Sequence, residues 1–176
     1  MGLARSINRR LNRIYFSLRG MDLGKNATIH RSVDVIFPRR ARVGKNSTLY
    51  KHISLYVGGS GIFEMGSNSH IAPFGYLLID KNTCTIGHHV AIGPFCTFIC
   101  HSNSVNGEKE YFTQNYTDGD IKIGNNVFIG AQCTILPGTI VEDNVVVAAN
   151  SVVKGRLEGG FIYGGSPVKK INSIQS

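Results

Sequence analysis

Of the six histidines in this 176-residue chain, one is set apart by where it stands. His101 immediately precedes the single long break in an otherwise regular pattern, the polar and aromatic stretch from about Ser102 to Asp120, SNSVNGEKEYFTQNYTDGD. Ordered loops of that length usually carry function. An imidazole at the root of one can take a proton from a bound nucleophile and pass it on near neutral pH. Glu108 and Glu110 in the loop are acids that could orient such a ring, and Tyr111, Phe112 and Tyr116 are faces on which a sugar or a nucleobase could stack. The other histidines offer less. His88 and His89 fall where Asn125 and Asn126 stand in a later repeat and read as surface turn, while His30, His52 and His70 share no phase. The Cys96–Cys100 spacing has no second Cys or His pair beside it, so a metal or redox centre is not expected there.

These groups are positioned by a six-residue period. From Ile121 to Val153 an aliphatic residue recurs at every sixth place: Ile123, Ile129, Ile135, Val141, Val147, Val153. A helix would show a period of about 3.6 and a half-buried strand a period of 2. A strict six requires a solenoid of short strands and turns, in which stacked coils bury together what one repeat cannot bury alone. The phrases Leu23-Gly24-Lys25-Asn26, Val43-Gly44-Lys45-Asn46, Met65-Gly66-Ser67-Asn68, Ile86-Gly87-His88-His89 and Ile123-Gly124-Asn125-Asn126, with Val141-Glu142-Asp143-Asn144 as an echo, mark successive coils. Counted from Met65 and Ile86, Asp80 and His101 have equal phase. They are therefore expected on neighbouring coils about 4.8 Å apart. Asp80 becomes the candidate that fixes the His101 tautomer, the alternative being that it only forms a corner with Lys81 and Asn82.

The composition agrees with one repeat domain: 21 glycines, no Trp and modest charge. No run of eighteen apolar residues exists, so no membrane-spanning helix is expected. Arg5, Arg9 and Arg10 have no apolar core behind them, which argues against a secretory signal. Residues 1–20 hold Arg5, Arg9, Arg10, Arg13 and Arg19 with no acid, and Leu3, Ile7, Leu11, Ile14 and Leu18 at helical spacing. That stripe fits a helix capping the open end of the solenoid, or a basic amphipathic helix in peripheral contact with an anionic membrane. No aromatic-plus-basic motif points to nucleic acid.

The hexads and the ending Ile162-Tyr163-Gly164-Gly165-Ser166-Pro167-Val168-Lys169-Lys170-Ile171 resemble the hexapeptide-repeat acyltransferases over roughly residues 21 to 171. The resemblance implies an all-β, left-handed parallel β-helix of about six coils. It would comprise a short N-terminal helix (1–20), the β-helix proper (21–160) with its inserted loop (102–120), and a tail (161–176) that contributes to CoA binding. It implies a homotrimer, acetyl-CoA as donor and, as in the sugar O-acetyltransferases of the family, His101 as general base. The donor would lie along Phe128, Gly130, Ala131, Ala148 and Ala149, with Lys154, Lys169 and Lys170 as cations for its phosphates. Tyr111, Phe112 and Tyr116 would meet the acceptor. Cys96 and Cys133 fall on the small inward position of the repeat, as reduced core residues of a cytoplasmic protein.

The chain departs from the family in three ways. Phe128 stands where many members carry Trp. Ala72-Pro73-Phe74-Gly75 replaces the Asn-containing sugar contact of the galactoside and maltose acetyltransferases, and the helical region ahead of the coils is short. The last two argue against those small sugars. The expected reaction is O-acetylation of a carbohydrate in surface polysaccharide synthesis, in the cytoplasm or at the inner face of the membrane. The alternatives are N-acetylation of a nucleotide-linked amino sugar and a non-catalytic scaffold. A zinc-dependent carbonic anhydrase family shares the fold but needs a further pair of histidines, which does not follow His101; no metal is expected.

Overall fold

The computed structural model describes the backbone of residues 2–174 and the side chains of 7–174. After a helix at Gly2–Leu18, the chain winds into a triangular prism whose walls are sheets of seven, eight and six strands, parallel except for the last strand of the second. This is the expected β-helix of about six coils. The repeated phrases stack in register: Leu23, Val43, Met65, Ile86, Ile123, Val141 and Leu157 form one column. Two more columns, Ile29 to Tyr163 and Val35 to Val153, complete a core of aliphatic and aromatic side chains. Cys84, Cys96, Cys100 and Cys133 are buried within it as free thiols. The Cys96 thiol donates to the Gly130 carbonyl at 3.1 Å and the Cys133 thiol to the Ala148 carbonyl at 3.2 Å.

The period-six phrase contains Gly-x-Asn because the corner needs both. A Cβ on Gly44 would lie 2.5 Å from the Gly66 carbonyl carbon, and one on Gly66 would lie 2.6 Å from the Gly87 oxygen, so the coils can close up only over glycine. Two places on, Asn26, Asn46, Asn68, Asn126 and Asn144 take left-handed backbone, which Asn tolerates. Their amides form a ladder, Asn26 to Asn46 at 3.1 Å and Asn46 to Asn68 at 3.0 Å. His88 and His89 belong to this corner. His88 Nδ1 accepts from the Ser67 N–H at 2.9 Å, and His89 has the left-handed φ of 57°.

The helix covers the first coil with a different face from the one the pattern suggests. Phe16 is fully buried, and the Arg13 guanidinium donates to the Gly24 and Leu23 carbonyls at 3.0 and 3.2 Å. Ile7, Leu11, Ile14 and Leu18 point outward; the side chain of Leu3 lies outside the described residues. The physical reason is that the open end presents unpaired carbonyls as well as apolar surface. An arginine beside a phenylalanine satisfies both, and an aliphatic stripe satisfies only the second. At the other end, Lys169–Ser173 returns antiparallel along Phe161–Gly164 and covers that edge. No helix among the described residues is long and apolar enough to cross a membrane.

Candidate active site

Thr97–Ile99 is the fourth strand of the third wall. It is followed by buried Cys100, whose N–H donates to the Leu78 carbonyl at 2.8 Å. The chain then leaves the prism as an antiparallel hairpin of His101–Asn103 and Tyr116–Asp118, pairing His101 with Asp118. The hairpin is tied together by Asn115, the one buried residue of the protruding segment. Its amide donates to the carbonyls of Lys109 and Tyr111 at 2.9 and 3.2 Å, and its oxygen accepts from the Lys109 N–H at 3.2 Å. The segment is thus an ordered flap rooted on the corner.

His101 is half-buried at this root. Its Nδ1 lies 2.7 Å from Asp118 Oδ1 and 3.9 Å from Asp80 Oδ2. Asp80 stands on the neighbouring coil, as equal phase requires, yet the hydrogen bond goes to Asp118. Asp80 takes left-handed backbone with φ 53° at the corner, where the strand ends, whereas Asp118 is delivered opposite His101 by the hairpin. The Nδ1 hydrogen bond is thus made by Asp118, with Asp80 beyond hydrogen-bond distance. Glu108 and Glu110 are exposed.

Asp118 is itself held from two sides. Lys81 Nζ lies 3.0 Å from Oδ2, and the Asn82 amide donates to Oδ1 at 3.2 Å and to the Cys100 carbonyl at 3.1 Å. Chiefly through the His101 hydrogen bond, and then through Lys81, its carboxyl is lowered from 3.8 to about 2. An ionised carboxylate can only accept, so Nδ1 must donate, and in the neutral ring the lone pair then sits on Nε2. Tyr116 lies against the imidazole, ring centroids 4.9 Å apart and planes 23° apart, with its hydroxyl donating to the Thr113 carbonyl at 2.7 Å. One Tyr116 face therefore already backs the imidazole, whereas Tyr111 and Phe112 are exposed on the flap.

Asp80, His101 and Asp118 form the one trio of potential metal donors found among the described residues, with ligand atoms within 4.8 Å of one another. Lys81 places a positive charge against the same carboxylate. The arrangement reads as a proton-handling relay: a carboxylate, an imidazole with one nitrogen committed, and a free Nε2.

The residues proposed from sequence for the donor fall into groups. Gly130, Ala131, Ala148 and Ala149 lie together on the corner between the second and third walls, with exposed Phe128 on the adjoining strand. A Cβ on Gly130 would lie 2.5 Å from Ala149 N, so this glycine is needed for coil stacking whatever binds outside. Lys154 is exposed on the corner that carries His101, not with the other two lysines. Lys169 is exposed on the return strand. Lys170 is engaged: its Nζ lies 2.8 Å from Glu158 Oε2 and 3.5 Å from the centre of the Phe161 ring.

Comparison with known proteins names the class to which this parallel β-helix belongs. Residues 120–155 match the family described as bacterial transferase hexapeptide (six repeats). The chain is 32% identical over 145 residues to galactoside O-acetyltransferase of Escherichia coli, covering 76% of this chain and 71% of that one. It is 45% identical over 136 residues to E. coli WbbJ, provisionally named a lipopolysaccharide biosynthesis O-acetyl transferase, covering 73% of this chain and 69% of WbbJ. Among solved structures, it superposes with a TM-score of 0.81 on AntD, an N-acyltransferase from Bacillus cereus in complex with dTDP-4-amino-4,6-dideoxyglucose and coenzyme A. Identity to AntD is 25%, with 93% of this chain and 89% of AntD covered. The chain belongs to the hexapeptide-repeat acetyltransferase family.

Proposed function

We propose that this protein transfers acetyl from acetyl-CoA to a hydroxyl of a carbohydrate built into a surface polysaccharide such as lipopolysaccharide or capsule. The observation that carries the reading is the 2.7 Å contact of His101 Nδ1 with ionised Asp118, which leaves Nε2 as the base. Nε2 takes the acceptor proton as its oxygen attacks the thioester carbonyl. The imidazolium, stabilised by Asp118, then protonates the departing thiolate. No covalent enzyme intermediate is required, because holding the two substrates in contact supplies much of the acceleration. Phe128 and the small corner residues Gly130, Ala131, Ala148 and Ala149 form the surface for the donor's arm. Lys154 and Lys169 are the exposed cations for its phosphates. The flap residues Tyr111, Phe112 and Tyr116 face the acceptor. WbbJ supports a polysaccharide setting. A CoA donor sets the reaction in the cytoplasm.

The active assembly in this reading is a homotrimer. Its support is the outer aromatic surface of Tyr50, Phe74, Tyr76 and Phe95, in which the Phe74 ring stacks on Phe95 at 4.8 Å and 2° and on His52 at 5.1 Å. A second reading, acylation of an amine on a nucleotide-linked sugar, is favoured by the likeness to AntD. Release of free CoA thiol is measured against a panel of sugars, glycan fragments and nucleotide-linked amino sugars, with light scattering for the mass of the particle. Turnover with hydroxyl acceptors that falls about 10²- to 10⁴-fold in His101→Ala supports the proposal. Turnover confined to amino sugars selects the second reading. Full turnover by a monomer removes the trimer.

A further inference from the structure

The N-terminal helix has two faces, and the solenoid uses only one. Phe16 is 0% exposed, and Arg13 is committed to the carbonyls of Leu23 and Gly24. On the opposite side Ile7, Leu11, Ile14 and Leu18 are 52, 57, 48 and 83% exposed, a continuous aliphatic stripe left in water. A fold that needed only a cap would not keep such a stripe outside. Covering these side chains would remove their apolar area from water, which favours a partner on this face.

The charge around the stripe identifies what covers it. Residues 1–51, the helix and roughly the first two coils, hold twelve Lys and Arg against two Asp, whereas residues 52–176 hold seven against nine acids. The positive charge of the whole protein is thus concentrated at the end of the prism where the helix lies. Arg9 and Arg10 on the helix, and Arg31, Arg39 and Arg40 on the first coil, are exposed there, and the Arg39 side chain packs against Gly20 at the end of the helix. Phe37, beside the last two arginines, is exposed as well. A second copy of this chain would bring the same excess of arginine to the contact and be repelled. Duplex nucleic acid would match the charge but leave the aliphatic stripe uncovered. An anionic bilayer satisfies both, with the stripe at the acyl boundary and the arginines at the headgroups.

We propose that the outward face of the N-terminal helix, with the basic rim of the first coil, is a docking surface for an anionic lipid bilayer, and that the prism binds the membrane by this end. The inference does not depend on the reaction assigned to His101. It places the protein where a lipid-linked acceptor would be presented.

The test is co-sedimentation of the full-length protein with vesicles of phosphatidylglycerol mixed with phosphatidylcholine, against vesicles of phosphatidylcholine alone. The expected result is binding to the anionic vesicles only, weakened by salt. The double substitution Leu11→Glu and Ile14→Glu should reduce partitioning at least tenfold, and Arg10→Glu about fivefold or more. Both variants should keep the wild-type circular dichroism, particle mass and thiol release, since none of these side chains packs on the solenoid or the His101 site. Any of these outcomes would overturn the proposal: equal binding to neutral vesicles, no binding to anionic ones, undiminished binding by the double variant, or a double variant that loses particle mass, which would make a second copy the occupant. Retention by duplex DNA in place of anionic vesicles would also reject it.

Discussion

Replacing Asp118 with asparagine keeps the size of the side chain and reverses what it can say to His101. Asp118 accepts from His101 Nδ1 at 2.7 Å, from the Asn82 amide at 3.2 Å and from Lys81 Nζ at 3.0 Å, three donors on one carboxylate. Asparagine has a single acceptor. Turned with its oxygen to His101, it sets its NH₂ against the Lys81 ammonium. Turned with its oxygen to Lys81, it presents NH₂ to Nδ1 and pulls the ring into the tautomer with the proton on Nε2, where it cannot act as a base. The charged partner makes the second orientation the favoured one. A hydrogen bond to a charged group contributes about 1.5–3 kcal/mol. Losing it from the imidazolium alone lowers turnover by roughly 10- to 150-fold at about 1.36 kcal/mol per tenfold, and the tautomer shift adds to that. Thiol release at saturating acetyl-CoA should show this fall in kcat, with the KM for acetyl-CoA changed less than about threefold. Asp80→Asn, acting from 3.9 Å, should cost less than Asp118→Asn. Turnover within about twofold of wild type in Asp118→Asn, or a larger loss in Asp80→Asn, would refute the relay.

Further outcomes follow from the same geometry. Because Asp118 is lowered from 3.8 to about 2, its contribution to stability is complete above pH 3.8 and is lost as pH falls through 2. It therefore stays ionised above pH 3.8, so the difference in Tm between wild type and Asp118→Asn should be constant above that pH and shrink as pH falls through 2; a difference that already shrinks at higher pH would contradict this. Lys169→Ala should raise the KM for acetyl-CoA and spare kcat. Lys170→Ala should do less, since Lys170 is paired with Glu158 at 2.8 Å; the opposite order would reverse the two roles. Gly66→Ala forces a methyl to 2.6 Å from the Gly87 oxygen, whereas Gly59 has nothing within 4 Å of the same position. The first should lose about 1–3 kcal/mol and several degrees of Tm. Gly59→Ala should melt within about a degree of wild type, and equal melting of both variants would show that the glycine corner can yield.

Much of this molecule is legible because its backbone is periodic. The aliphatic column through Leu23, Val43, Met65, Ile86, Ile123 and Val141 can be written down from the sequence, and each of those residues is found in register. The same counting sets Asp80 and His101 on adjacent coils and marks His88 and His89 as corner residues. Lys170 was open to a reading as a free cation because nothing in the sequence says that Glu158 lies beside it. Asp118 and Asn115 went unnoticed for a related reason: the flap has no period, so neither residue carries a phase.

The amino-acid order alone determined the prism, its register and the residue at the root of the flap, since a six-residue repeat has only one way to bury one aliphatic side chain per turn. Tertiary structure decided which carboxylate holds His101 and which side of the N-terminal helix is buried. The first depends on a hairpin that folds Asp118 back over seventeen positions to Nδ1. The second depends on the carbonyls of Leu23 and Gly24, to which Arg13 donates, so that Ile7, Leu11, Ile14 and Leu18 lie on the outside.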